Sequence, residues 1–366
     1  MNFTTNTLSG TDDSIYNLTR RQSVGLTIVV EAGLASLIAV LYVFLIIFRN
    51  FLWRIRNVAR ESWHVFHTPM DLLMFSLFSA ELLQAVGCVM SLKWIHEGVV
   101  QVGGFCLAQG VIKQLGQTGG AITTLLITLY TFVGIWMGKT ATSMQVTSAV
   151  IFVAWLSVAA MVIIGNTVNG RPGEAPFITP VPYWCWIHGS YPKWRILGEY
   201  LWIWITLSFA VAAYVPLWLW SRGNIVINDH QWWKFKLQHA DANMDSSFRR
   251  QSILMLAYPL TYCLSKLPQS VVRGISFHGH GNGALTPTLS SLLLGFGTLV
   301  SLSGVFNVVL LLTTRSESVL FQKQSHSSAG RAPCHRELAH NSEVEYFNRE
   351  SGEGDDSELG ALPSRS

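Results

Sequence analysis

VGLTIVVEAGLASLIAVLYVFLIIF, residues Val24–Phe48, holds one charged side chain, Glu31, among 25 positions. As a helix it is about 37 Å long, enough to cross the roughly 30 Å hydrocarbon layer of a bilayer. It is too long for a signal-peptide core, and the polar residues before it lack one, so it reads as a membrane anchor. Six further apolar stretches follow: Met70–Leu92, Gly104–Trp136, Val146–Ile164, Leu197–Trp220, Ser252–Val272 and Leu289–Leu312. The sixth span is the least regular, because it contains Pro259, Lys266 and Pro268. The expected fold is an all-α membrane protein, a seven-transmembrane helix bundle over residues 24–315. An extracellular segment (residues 1–23) precedes it and a disordered cytoplasmic tail (residues 316–366) follows it.

Composition agrees. The chain has 366 residues, half of them hydrophobic and 13% charged, against about 25% charged in an average soluble domain. Mean hydropathy is +0.34. A formal net charge of +4, spread rather than clustered, argues against nucleic-acid binding. The tail has 9 Asp/Glu against 5 Lys/Arg and 10 Ser, the composition of a solvated segment.

Basic residues orient the chain. Between Arg49 and Lys323, 12 Lys/Arg fall on one side of the seven spans, among them Arg54, Arg56, Lys139, Arg249 and Arg250. The other side holds 7. The expected topology therefore has the N-terminus outside and the C-terminus in the cytoplasm. The tripeptides beginning at Asn2 and Asn17 are glycosylation acceptors that this topology exposes.

Of five cysteines, none forms a CxxC pair, which disfavours a metal centre. Cys106 opens span 3, and Cys185 lies in the loop between spans 4 and 5, both on the oxidising side. A disulfide between them is expected. It would hold Tyr183, Trp184 and Trp186 over any cavity between the helices.

Ionisable groups in hydrocarbon are costly and mark function by default. Gln109, Lys113 and Gln117 recur every four residues and share one face of span 3. With Trp184, Trp186, Trp202, Lys266 and Gln269 they form the candidate ligand-binding set. Glu81 and Lys113 are deep enough to pair with each other or to meet a ligand. Asp71, Glu199 and Arg273 lie near span ends, where reaching toward the interface is the simpler reading. Pro259, between Tyr258 and Tyr262, removes a backbone donor and provides a place for span 6 to bend. With Glu81 and Asn307 these residues form the candidate conformational switch. Tryptophans at span ends, including Trp94, read as interfacial anchors.

The pieces Phe105-Cys106-Leu-Ala-Gln109-Gly110, Tyr183-Trp184-Cys185-Trp186-Ile187, Tyr258-Pro259-Leu-Thr-Tyr262 and Gly304-Val-Phe-Asn307 together resemble G-protein-coupled receptors. The closer resemblance is to the fungal glucose-receptor and cyclic-AMP-receptor-like group, over about Val24 to Arg315. Leu77-Phe-Ser79-Ala80-Glu81 is similar to a span-2 motif that ends in Asp elsewhere. Span 3 ends in Leu129-Tyr130-Thr131 and lacks the Asp-Arg-Tyr signature of rhodopsin-like receptors. The resemblance implies a plasma-membrane receptor without a cofactor, sensing an extracellular small molecule such as glucose or another nutrient. Its partner would be a heterotrimeric G protein whose Gα subunit feeds adenylyl cyclase. Arg54, Arg56, Lys139, Arg249 and Arg250 are the candidate G-protein-facing charges.

The alternative is a transporter or channel using a polar intramembrane path, against which stands the lack of an internal repeat. A retinal protein would need a lysine in span 7, which has none. An enzyme is not expected, since HExxH, GxSxG and a close carboxylate pair are all missing.

Overall fold

The structure, a computed structural model, describes residues 15–57, 66, 68–136, 143–169, 175–221, 225–228, 231–237, 246–279 and 286–314. These lie in the first of two units, Met1–Gln322. The elements run β1 (Ile15–Asn17), α1 (Arg20–Asn57), α2 (Pro69–Val89), α3 (Leu92–Glu97), β2 (Val99–Gln101), α4 (Gly104–Trp136) and α5 (Met144–Val168). Then come β3 (Ile178–Pro180), β4 (Cys185–Ile187), α6 (Pro192–Arg195), a π-helical turn (Ile196–Tyr200) and α7 (Leu201–Ser221). β5 (Ile225–Asn228), β6 (Gln231–Leu237), α8 (Ser246–Gly279), α9 (Pro287–Ser301) and α10 (Ser303–Thr314) complete the order.

The chain is mostly helical, and five helical segments are long and apolar enough to cross a membrane. They are Arg20–Trp53, Pro69–Glu97, Met144–Val168, Pro192–Ala213 and Pro287–Thr313. The two other long helices are α4 and α8, which carry Gln109, Lys113, Gln114 and Gln117, and Lys266, Gln269 and Arg273. Both fall short of the apolar criterion that α2 meets, although α2 itself carries the buried Glu81 and Gln84. α4 packs against α2, α5, α7 and α8; α1 packs against α2, α9 and α10; and α8 packs against α7, α9 and α10. The apolar window of α2 is 61% buried and that of α5 only 17%, so α2 is central and α5 peripheral.

Small residues set the tightest spacing. A Cβ on Gly116 of α4 would come within 2.6 Å of the Gln84 backbone nitrogen of α2. Only glycine permits that approach. Asp71 is buried at the start of α2, where it forms a reciprocal capping box with Thr68. The expectation that Asp71 reaches for the interface is corrected: its carboxylate stays home to satisfy the helix N-terminus.

At one end of the bundle β1 pairs with β2, and β3 pairs with β4, both antiparallel. The Cys106–Cys185 disulfide forms as expected and ties β4 to the first turn of α4. At the opposite end, beyond α7, β5 and β6 form an antiparallel hairpin. α8 runs unbroken through Pro259 and Pro268.

The last expected span is not one helix. α9 ends at Ser301 and α10 begins at Ser303. The cause lies on α1. The Ser36 hydroxyl donates to the Ser301 carbonyl (2.5 Å) and accepts from the Val305 amide (3.4 Å). It stands inside a hydrogen bond that a regular helix would make between those two groups, a recognised cause of helix distortion. Gly304 allows the approach, since a Cβ there would lie 3.0 Å from the Ser36 Cβ.

Candidate functional site

The lid is the β3–β4 hairpin. Tyr183, Trp184, Cys185, Trp186 and Ile187 are all buried, which is unusual for a connecting loop. Three ties hold it. The disulfide fixes Cys185 to α4. The Gln109 carbonyl accepts from the Cys185 amide (3.1 Å) and from Trp94 Nε1 (2.8 Å). The Tyr183 hydroxyl donates to Ser290 Oγ at 2.5 Å. Burial pushes the Tyr183 phenol above its ordinary value, so it stays protonated and able to donate. Tyr16 of β1 meets the Tyr183 ring edge-on, with centroids 6.1 Å apart.

Gln109 belongs to this scaffold. Its amide nitrogen donates to the Gly87 carbonyl (3.2 Å) and to Ser91 Oγ (2.9 Å). Fully buried and committed on both ends, it has no group left for a ligand. Trp94, expected as an interfacial anchor, is buried beside it.

Beneath the lid lies an outer polar layer. Arg273 Nη1 donates to Glu199 Oε1 at 2.9 Å, with both side chains almost fully buried. Gln117, its amide oriented nitrogen toward the carboxylate, donates to both Glu199 oxygens (2.8 and 3.0 Å). The reading of Glu199 and Arg273 as interface-seeking is therefore corrected: they meet each other. The π-helical turn places Glu199. Its widened spacing turns the side chain inward, and Thr118 Oγ1 takes up the Gly198 carbonyl at 2.6 Å. Guanidinium and ammonium groups face the lid tryptophans. Arg273 lies 4.1 Å from the Trp186 ring centre, Arg195 5.1 Å from it, and Lys113 4.5 Å from that of Trp184. Gln117, Glu199, Tyr200, Lys266, Gln269 and Arg273 line a cavity of about 10 Å³, room for about one water.

An inner layer lies deeper. Glu81 accepts from Ser303 Oγ (2.6 Å) and Asn307 Nδ2 (2.9 Å). Gln84 Nε2 donates to Ser303 Oγ (3.0 Å) and to the Val300 carbonyl (2.9 Å), just before the helix break. Lys266 Nζ donates to Gln84 Oε1 at 2.8 Å. The network thus runs from Lys266 on α8 through Gln84 and Ser303 to Glu81 and Asn307. A second cavity of about 10 Å³ adjoins it, lined by Glu81, Tyr258, Tyr262, Ser303 and Asn307 among others. The Tyr262 hydroxyl is buried and has no hydrogen-bond partner.

Of the expected ligand set, Lys113, Gln117, Trp184, Trp186, Lys266 and Gln269 lie in or against the outer layer. Gln109 does not, and Trp202 packs instead against the Ala121, Ile203 and Leu207 cluster with Tyr262. Glu81 and Lys113 do not pair, since each has the other partners given above. Glu81, Tyr258, Tyr262 and Asn307 gather in the inner layer, with the buried Pro259 beside them in the chain. The sequence reading missed Gln84, Ser36 and Ser303, ordinary polar residues whose partners lie on other helices. Arg56 is exposed at the end of α1 away from the lid. Arg54, Arg249 and Arg250 sit on that end of α1 and on the start of α8, while Lys139 lies outside the described residues. Asn17 is exposed in β1; Asn2 lies outside the described residues. Among the described residues no group of three or more His, Cys, Asp or Glu is placed to hold a metal ion.

No family model matches this chain, and no curated protein sequence is significantly similar to it.

Proposed function

We propose that the protein is a seven-span plasma-membrane receptor of the G-protein-coupled type, sensing an extracellular small molecule and signalling through a Gα subunit to adenylyl cyclase. The observation that carries this reading is the lid. A disulfide-tied aromatic hairpin covers a buried polar layer that is continuous, through Lys266, with a second layer at the break between α9 and α10. A ligand that moves the lid changes the partners of Arg273 and Lys113. Lys266 lies on the same helix and ends in the inner layer, so α8 links the two. In this reading α4 and α8 are the two remaining spans. The lid end is then outside, a reading the disulfide supports because such bonds persist in oxidising compartments. β1, paired beside the lid, then carries Asn17 outside as a glycosylation acceptor. Arg54, Arg56, Lys139, Arg249 and Arg250 face the cytoplasm and the G protein. Glucose and other nutrients head the ligand panel, on the resemblance noted above.

One observation favours a transporter: a helix interrupted beside a buried charge network is a feature of solute-binding sites in carriers. One experiment separates the two. The purified full-length chain is tested for Gα nucleotide exchange and, in sealed liposomes, for uptake of the same sugars and amino acids. Ligand-dependent exchange without uptake supports the receptor; uptake without exchange sinks it.

A further inference from the structure

Among the described residues the charges under the lid do not balance. Lys113, Lys266 and Arg273 are buried there, against Glu81 and Glu199. The other buried carboxylate, Asp71, is occupied at the far end of α2 in its capping box. Counted as ionised, these five groups leave one positive charge over in a place shielded from water, where an uncompensated charge is costly. The surplus can be located. Glu199 is taken by Arg273 and Gln117, and Glu81 by Ser303 and Asn307. Lys113 is more than nine-tenths buried, makes no hydrogen bond, and holds its ammonium over the face of Trp184. Arg273 has spare donor capacity: its Nη2 is buried without an acceptor in full hydrogen-bond geometry, the Tyr200 phenol being the group that interacts with that guanidinium beyond Glu199. Both cations lie against one ring, with Lys113 Nζ 4.5 Å and Arg273 Cζ 5.8 Å from the Trp184 centroid.

We infer that this site takes a small organic monoanion, its carboxylate held between Lys113 and the free edge of Arg273 in the place now filled by the Trp184 ring. A carboxylate supplies what the layer lacks: one negative charge and acceptors for two vacant donor groups. The adjacent cavity admits only a water, so the seat opens as the ring leaves. The ring's polar hold is a pair of cation–π contacts, which charge-assisted hydrogen bonds replace, and its packing against Tyr183 and the apolar cluster of the lid is what binding must offset. Binding and lid displacement are then one event. The inference names the ligand class of the proposed receptor and rests on that reading only for its signalling consequence.

The test uses the full-length chain in phosphatidylcholine nanodiscs at pH 7. Sodium acetate, propionate and pyruvate are titrated at constant ionic strength, with sodium chloride and glucose as comparisons, and thermal midpoint and tryptophan fluorescence are read. The carboxylates raise the midpoint and shift the fluorescence; chloride and glucose do neither. Lys113→Met raises the midpoint of the ligand-free protein, because a stranded charge is gone, and weakens acetate about tenfold or more. Lys113→Arg retains acetate binding. The inference is overturned if no carboxylate binds, if chloride acts as well as acetate, or if Lys113→Met binds acetate like the wild type. Carboxylate binding without any Gα exchange leaves this site standing and removes the receptor reading. Gα exchange driven by glucose, with no carboxylate binding, does the reverse.

Discussion

Glu199 and Arg273 show what a buried charge pair demands of its surroundings. Each is held by the other, with Gln117 supplying further donors. Breaking a buried pair from one side strands the other charge, at about 3–5 kcal/mol. Glu199→Gln is expected to lower the thermal midpoint sharply. Adding Arg273→Met to it is expected to recover part of the loss, a non-additivity that a double-mutant cycle on melting in nanodiscs measures. Gln109→Leu is predicted to cost stability for a different reason. It leaves Trp94 Nε1 and the Cys185 amide buried without an acceptor, each about 1–3 kcal/mol. The same melting assay reads it, with faster loss of lid protection in hydrogen exchange. The residue types were legible in the sequence, and the four-residue spacing of Gln109, Lys113 and Gln117 did place them on one face of α4. Their roles were not. Gln109 serves the lid because Cys185, 76 positions later, brings an amide that needs an acceptor. Glu199 and Arg273 sit 74 positions apart, and position along a span gives depth without naming a partner.

At the scale of elements, the seven apolar stretches of the sequence correspond to seven helical runs, and the lid disulfide was readable from which loops share a side. The break between α9 and α10 was not. Ser301-Leu-Ser303-Gly304 contains no proline, and the distortion depends on a hydroxyl supplied by α1. The π-helical turn at Glu199 is equally silent in sequence. Two substitutions test the break. Ser36→Ala removes the inserted hydroxyl. The Ser301 carbonyl and Val305 amide then either rejoin, straightening α9 into α10, or stay unpaired at about 1–3 kcal/mol. Either way the Ser301 and Val305 backbone signals in carbon-13 solid-state spectra are expected to shift. Gly304→Val forces apart α1 and α10, whose atoms leave no room for its side chain. It is expected to lower the melting midpoint by the equivalent of about 1–3 kcal/mol.

For the molecule as a whole, the polar groups of the interior are shared between strongly apolar helices such as α2 and the more polar α8. The five most apolar segments range from the peripheral α5 to the central α2, and among the described residues α4 and α8 carry half of the buried charges, Lys113, Lys266 and Arg273, beside Asp71, Glu81 and Glu199. A polar helix at the centre of a membrane protein is stable only where neighbours satisfy it. Here α2, α7, α9 and the lid do so. The two polar layers connect through Lys266 and Gln84, which in the proposed receptor would carry lid movement as far as Glu81 and Asn307 in the middle of the bundle. The most direct measurement of that claim is cyclic AMP in cells lacking the gene and in cells carrying the wild type or Glu81→Gln at equal surface levels, on addition of sugars, amino acids and small carboxylates. The account predicts a ligand-dependent change in the wild type that is absent without the gene and lost in Glu81→Gln. A wild-type response that is flat to every compound, or one that Glu81→Gln reproduces in full, contradicts it.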